Sequence, residues 1–385
     1  MSIQNKCSQH LYIHWPFCKN KCHYCDFVSF AKHEKYEQQY HKALCTEIKS
    51  YVSKLSGPRK IKTIFFGGGT PSLYPIDLLT ELFVVLKNNF DLSDAEEITI
   101  EVNPKEVTEK QLSTWRFLGI NRLSIGVQVL DDKILANLNR IQTNKDVYSL
   151  IEKAFKYFDN VSVDLILGLP GITDEVWNNT LKQIVKWPIK HISVYMLMVH
   201  DRTPLSLKLS RGDIKLLSDD EFVDIYDGTV KFLDYHGFKQ YELSNFAVPG
   251  FESEHNRAYW DHRPYRGFGL SAASFEDNTR FVNLKKLMHY LDIYLLEGEL
   301  KYSFQEKLGP EQLRMEQLML GLRQSSGMDL HAMLYLFKEG EQERLSGRLD
   351  DLKNQGLIVV ENGRVRLALK GMALENEVIL SLLSN

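Results

Sequence analysis

The sequence predicts an α/β fold: a parallel sheet curling into a partial (β/α)6 barrel, followed by a smaller α+β unit. Three observations lead there. About six short apolar segments alternate with helix-patterned segments over the first 200 residues, the rhythm of βαβ units and a parallel sheet. Polar side chains and glycine runs fall where those segments end, which is where α/β barrels keep their ligands. Beyond about residue 306 the rhythm changes to helices and one hairpin with Asn362-Gly363 at its turn, a strong hairpin signal.

Taken in order, the first strand is Leu11 to Trp15, and it runs into Cys18-Lys19-Asn20-Lys21-Cys22-His23-Tyr24-Cys25. Tyr40, Leu44, Ile48 and Tyr51 trace a 3.6-residue stripe that predicts a helix over 34–54, ended by Gly57-Pro58. A strand over 61–66 leads to Gly67-Gly68-Gly69-Thr70-Pro71, and Leu78, Leu79, Leu82, Phe83 and Leu86 place a helix over 76–88. There follow a strand over 97–102, a helix over 108–118 closed by Gly119, and a strand from Arg122 that runs on to Gly126-Val127-Gln128. Helices over 131–158, a strand over 161–167, a helix from about Thr173 to Trp187-Pro188 and a strand over 191–199 complete the alternation. Right-handed crossovers repeated in this order curl a sheet into a barrel, closed at eight strands and open at six. A doubly wound sheet would want a nucleotide-type glycine fingerprint after the first strand, and there is none.

These breaks divide the chain into a core over 1–200, an extension over 201–305 and a C-terminal unit over 306–385. The extension mixes helices with a loop-like run over 241–250 and an aromatic-rich segment reaching Phe275. Three helices and a hairpin make the last unit similar to a winged helix. Its helix over 340–353 carries Glu341, Glu343, Asp350 and Asp351, against a DNA-binding role.

The chain has 385 residues, 44% hydrophobic and 25% charged, with a net charge of −3, an ordinary globular balance without the basic footprint of a nucleic-acid binder. No apolar run approaches the roughly 20 residues that span a bilayer, and the first residues lack the apolar core of a signal peptide. Five cysteines, three of them in one loop, fit a reducing compartment rather than a disulfide framework, so a cytoplasmic protein is expected. Cys45 sits at helical spacing among core positions. Cys7 is either incidental or close enough to approach the loop.

Cys18, Cys22 and Cys25 aim three thiols at one small object. Soft thiolates select iron–sulfur or zinc. Zinc normally takes four protein ligands in a closed tetrahedron, and only His23 or His33 is near enough to be the fourth. Three thiolates and an open position suit a [4Fe-4S] cluster whose fourth iron binds a small molecule. Tyr24 either lies beside that molecule or packs over the cluster. Glu101, Gln128 and Asp164 interrupt apolar strands, and burying each without a partner would cost roughly 2–7 kcal/mol. They have partners, in the protein or in a ligand.

The CxxxCxxC loop resembles that of the radical S-adenosylmethionine (radical SAM) superfamily. With Tyr12-Ile13-His14-Trp15-Pro16-Phe17-Cys18, Gly67 to Pro71, Glu101-Val102-Asn103-Pro104, Leu123 to Gln128, Val163 to Gly171 and His255-Asn256-Arg257-Ala258-Tyr259-Trp260, the whole chain looks like the oxygen-independent coproporphyrinogen III oxidase family. The resemblance implies a radical SAM partial barrel, a cluster on the three cysteines, and S-adenosylmethionine held by Tyr12, Tyr24, Gly68, Gly69, Thr70, Glu101, Gln128, Arg140 and Asp164. Bare glycine backbone would approach its methionyl amino end, and Arg140 its carboxylate. Without the resemblance Arg140 reads as a surface arginine at a helix end.

That family has two branches. The oxidase branch shows CxxxCxxCxC and a longer N-terminal extension, whereas here Asp26-Phe27 follow Cys25 and ten residues precede the strand. The HNxxYW stretch beginning at His255 is similar to the heme-chaperone (HemW) branch. It implies heme as a third cofactor, with His255 as its ligand in a segment outside the barrel. Heme and a heme-acceptor protein are then the partners, a membrane-associated acceptor and a homodimer both being compatible with the resemblance. Porphyrinogen decarboxylation and a zinc-stabilised scaffold are the alternative readings.

Overall fold

The computed structural model describes residues 8–57, 59–105 and 107–383; Cys7 lies outside them. Six strands alternate with helices: β1 (His10–Trp15), β2 (Thr63–Gly68), β3 (Glu97–Val102), β4 (Arg122–Gln128), β5 (Asn160–Leu167) and β6 (His191–Met196). They lie side by side in chain order, every pairing parallel. Connecting helices include Glu37–Val52, Ile76–Asn89, Glu109–Leu118, Asn144–Ala154 and Asp174–Ile184. Local chemistry sets their ends. Thr108 and Thr143 cap two of them through reciprocal capping boxes, and Gly119 closes Glu109–Leu118 at φ 109°.

Period-two alternation gives each strand two faces. On β1, Leu11, Ile13 and Trp15 are fully buried in the apolar core, while His10, Tyr12 and His14 take the opposite, concave face. That face is polar at almost every strand, which makes the lumen a site rather than a packed core.

The extension belongs to the same sheet. β7 (Lys239–Glu242) and β8 (Asn245–Ala247) continue it antiparallel beyond β6, so the run expected as loop-like is strand on both sides of Leu243-Ser244. β9 (Tyr265–Phe268) pairs parallel with the free edge of β1, followed antiparallel by β10 (Ala273–Glu276), β11 (Thr279–Asn283) and β12 (Tyr302–Lys307). Short edge strands with few apolar residues give little periodic signal, which is why sequence reading passes over them. Strand β6 stops at Met196, three residues before the expected end, and β2 begins two residues later than expected and takes in Gly67 and Gly68.

The C-terminal unit has helices Pro310–Leu322, Leu330–Tyr335 and Glu339–Asn354 and a three-stranded sheet of Met328–Asp329, Arg364–Leu367 and Ile358–Glu361. Asn362 and Gly363 hold φ of 52° and 72°, the double left-handed turn their identity predicts. Among the described residues no helix is long and apolar enough to cross a membrane.

Candidate functional site

The cysteine loop leaves β1 at the C-terminal end of the barrel and is fastened on three sides. Gly69 N donates to Trp15 O at 2.7 Å and Thr70 N to Phe17 O at 3.0 Å, tying the loop to the end of β2. His23 N donates to Leu138 O at 3.0 Å, and Asn139 Nδ2 to Lys21 O at 2.9 Å. Leu205 N donates to His23 O at 3.0 Å. All three thiols are half-buried and unpaired. Thr70 Oγ1 donates to Cys18 Sγ at 3.3 Å, and an Arg140 guanidinium nitrogen lies 3.7 Å from Cys22 Sγ. Burial pushes the Cys25 thiol up to about 11 and raises Cys18 as well, so metal binding here must displace thiol protons.

The glycine run has a protein partner. A Cβ at Gly69 would stand 2.8 Å from Pro16 C and 2.9 Å from Phe17 O, and one at Gly68 2.5 Å from the His14 ring, where φ is also 114°. The bare backbone expected to face S-adenosylmethionine is therefore needed first to let the cysteine loop pack onto β2.

Arg140 is not a surface residue. It donates to Tyr24 OH at 3.2 Å, to Gly126 O at 2.9 Å and to Gln142 Oε1 at 2.9 Å. Gln142 in turn donates to Gly126 O and Val127 O at 2.9 and 3.1 Å. Sequence reasoning missed this glutamine; its only signal is its place two residues from Arg140. Together they clamp the end of β4, where the register slips between Gly126 and Gln128 and Gln128 adopts φ 69°. A bulge with a left-handed glutamine is a local cost of roughly 1–3 kcal/mol of the kind found at functional sites. Gln128 Oε1 is buried and finds no protein partner.

Inside the lumen Glu101 accepts from Gly68 N at 3.2 Å. Asp164 accepts from Ser124 at 2.7 Å and Ser162 at 3.4 Å, and Ser193 also supports it. Burial, reinforced by the Asp164 carboxylate, pushes Glu101 up to about 8, and burial also raises Asp164. The three serines were not anticipated, although Arg122-x-Ser124, Ser162-x-Asp164 and His191-x-Ser193 carry the polar alternation that marks a lumen face. Tyr12 stacks on Phe65, centroids 6.2 Å apart, and meets His14 Nδ1 at 3.1 Å. Two neighbouring carboxylates, an orphaned amide oxygen and aromatic walls fit a cationic, amide-binding, partly aromatic ligand such as S-adenosylmethionine. Three thiols are the donor set that an iron–sulfur cluster takes, and among the described residues no group of three or more His, Cys, Asp and Glu side chains is set to hold a single metal ion such as zinc. His23 Nδ1 meets Asn137 O at 3.0 Å, and His33 Nδ1 meets Ala31 O at 2.7 Å with its ring beside Phe30 and Tyr36.

His255 lies at the other end. Helix Glu254–Trp260 closes the barrel floor instead of lying outside the barrel. His255 is 1% exposed, stacks on Phe65, and has both nitrogens engaged, Nδ1 with Thr63 Oγ1 at 2.7 Å and Nε2 with Tyr259 OH at 2.9 Å. Burial lowers it to about 3. Ser253 Oγ and Glu254 N donate to Glu97 at 3.0 and 2.8 Å, pinning the helix to β3. The expected heme ligand is thus, in the protein alone, a buried imidazole with both nitrogens hydrogen-bonded. Tyr265 and Phe268 of the same aromatic-rich segment are members of β9, with Phe268 fully buried.

Residues 12–184 match the Radical SAM superfamily and residues 308–374 the HemN C-terminal domain. The chain is 34% identical over 372 residues to heme chaperone HemW of Bacillus subtilis (strain 168), covering 95% of this chain and 97% of that protein. To heme chaperone HemW of Lactococcus lactis subsp. lactis (strain IL1403) it is 32% identical over 368 residues, 95% of each. In fold it is similar to coproporphyrinogen III oxidase (HemN) from Escherichia coli, with a TM-score of 0.83 and 24% identity, covering 99% of this chain and 91% of that one. With the cysteine loop, the lumen carboxylates and the C-terminal unit in place, similarity of this extent leads to one assignment: the chain belongs to the radical SAM superfamily and, within it, to the family of the proteins named heme chaperone HemW.

Proposed function

We propose that the protein is a heme chaperone of the cytoplasm, binding heme and passing it to an acceptor protein while carrying a [4Fe-4S] cluster and exchangeable S-adenosylmethionine. The observation that carries this reading is the similarity to heme chaperones along almost the whole chain. Cys18, Cys22 and Cys25 hold the cluster, which when bound supplies an electron and one open iron. Arg140 neutralises charge at Cys22 and orients Tyr24. Gly68, Gly69 and Thr70 set the loop against β2, and Glu101 with Asp164 offers negative charge to a cation. Tyr12 and Gln128 line the same lumen. The divisions at 200 and 305 belong to this reading, with the extension closing the barrel and the last unit covering its floor.

Phe27 stands where the oxidase branch has its fourth motif cysteine, and the residue is 61% exposed. Oxidative decarboxylation of coproporphyrinogen III is accordingly the reading to test against. Anaerobic incubation of cluster-loaded protein with coproporphyrinogen III, S-adenosylmethionine and reductant should yield no protoporphyrinogen IX, while hemin should bind and move to an apo-heme protein. Repeated turnover to protoporphyrinogen IX would overturn the chaperone reading.

A further inference from the structure

We propose that Arg122 is the anion receptor of the barrel lumen and pairs there with a carboxylate of the bound ligand, which on the heme-chaperone reading is a heme propionate. The inference rests on that reading. Arg122 opens β4 and is 1% exposed. A guanidinium carries five donors and a positive charge, and burying one without a carboxylate or several acceptors is costly. Its one side-chain hydrogen bond among the described residues runs from Nη1 to Thr99 Oγ1, at the limiting distance of 3.5 Å, and its buried Nε meets no acceptor. Arg266 shows how the same fold serves a cation that is structural. Equally buried and also with an open Nε, it donates to Glu276 at 3.4 Å and to Tyr302 at 2.9 Å and lies over the Tyr51 ring at 4.4 Å. Arg122 has no such company.

The acids of the lumen are engaged elsewhere. Glu97 accepts from Thr99 Oγ1 at 2.9 Å, besides its bonds from Ser253 and Glu254. Asp164 is taken by Ser124 and Ser162, and Glu101 by Gly68 N. His191 meets Ser162 Oγ and Tyr241 OH, both at 2.8 Å, and burial, aided by the Arg122 charge, holds it neutral. The same charge bears on His255 and Tyr241 and on Asp164, so the guanidinium faces the lumen between the floor helix and the carboxylates. That lumen has room: Tyr195, on the His191 and Ser193 face of β6, is 44% exposed. Phe65 lies between Tyr12 and His255, its centroid 6.2 and 5.2 Å from theirs, so an aromatic wall leads down to the expected heme ligand. A planar fork of donors in such a site takes a carboxylate in bidentate fashion. Heme carries its two carboxylates at one edge of an apolar disc, which matches an aromatic wall with one open cation.

The test is a cycle between residue and ligand on full-length, cluster-loaded protein. Wild type, Arg122→Gln and Arg122→Lys are titrated anaerobically with hemin and with hemin dimethyl ester, whose carboxylates are masked, with iron content and circular dichroism recorded for each. Esterification should weaken wild-type binding by roughly tenfold or more. Arg122→Gln should bind hemin more weakly by a similar factor and lose nothing further on esterification, a comparison in which the ester's own solubility cancels. Arg122→Lys keeps the charge without the fork and should fall between the two, which protects the test should the glutamine variant lose its fold. An ester penalty absent from wild type, or equal in all three proteins, would overturn the proposal. Weakened binding of S-adenosylmethionine by Arg122→Gln with hemin binding unchanged would give the arginine to that ligand's carboxylate and overturn it too. Failure of the wild-type protein to bind hemin would instead overturn the chaperone reading itself.

Discussion

The thiols and carboxylates at the barrel mouth are held in a state that a ligand must change. Replacing Cys18, Cys22 and Cys25 together with serine should abolish iron incorporation, whereas Cys45→Ser, buried in Glu37–Val52, should leave it intact; iron analysis after anaerobic reconstitution decides. Glu101 makes a sharper prediction. Its folded pKa, about 8, lies above the ordinary 4.5, so between those values the native state holds a proton that the unfolded chain has released. Its contribution to stability is therefore greatest below about pH 4.5 and falls as pH rises through that window. A cationic ligand wants the carboxylate, so binding releases this proton and tightens from about pH 6 to about pH 8, at most tenfold per unit. Calorimetry with S-adenosylmethionine across that range, in buffers of different ionisation enthalpy, should show the proton release. Glu101→Gln should bind more weakly and flatten the profile. A wild-type profile already flat would remove Glu101 from the site.

Between elements, two short segments decide where the chemistry sits. At the mouth, β2 runs into the glycine run so that backbone meets backbone. Gly69→Ala would press a methyl into Pro16 and Phe17, groups that cannot rotate aside, at about 1–3 kcal/mol. We expect a lower melting temperature and impaired cluster loading, read by iron content. At the floor, His10, Thr63 and His255 form a hydrogen-bonded line, with Nδ1 to Oγ1 distances of 2.9 and 2.7 Å. Burial lowers His10 to about 4 and His255 to about 3. Both are neutral in the fold and take up protons on unfolding, so their contribution is complete above about pH 6.5 and is lost as pH falls toward 4. Tryptophan fluorescence should report floor opening over that range, and His255→Gln should remove part of the dependence.

At the scale of the molecule, the C-terminal unit is fastened to the underside of the barrel. Gln324 Nε2 donates to Trp260 O at 3.0 Å and Arg323 lies over the Trp260 ring at 5.1 Å, so the last residue of the floor helix is gripped from below. Glu316 joins three pieces, accepting from Arg280 of β11 at 2.7 Å and meeting His262 at 2.9 Å. Glu316→Ala leaves both partners half-satisfied and should cost about 1–3 kcal/mol. It should also separate the unfolding of the last unit from that of the barrel, visible as a second calorimetric transition. A single unchanged transition would show that the apolar contacts alone hold the unit.

Much of this was legible in the chain. The six parallel strands, the three-cysteine loop, Thr108 and Gly119 at the ends of one helix and Asn362-Gly363 at the hairpin all follow from local pattern, because period, capping and turn chemistry act between near neighbours. The polar residues that interrupt strands reveal Glu101, Gln128 and Asp164 as lumen groups for the same reason. What the sequence could not supply was the company each residue keeps. Arg140 reads equally as a surface cation until the turn at Leu138 and Asn139 is docked on the cysteine loop. His255 reads as a free loop imidazole until its helix is found across the barrel floor, 192 positions in sequence from Thr63 yet hydrogen-bonded to it. β9 beside β1 arises in the same way. Long-range pairing leaves no period in the local sequence, and the free energy that chooses those partners comes from burial and hydrogen-bond satisfaction, which exist only once the chain is folded.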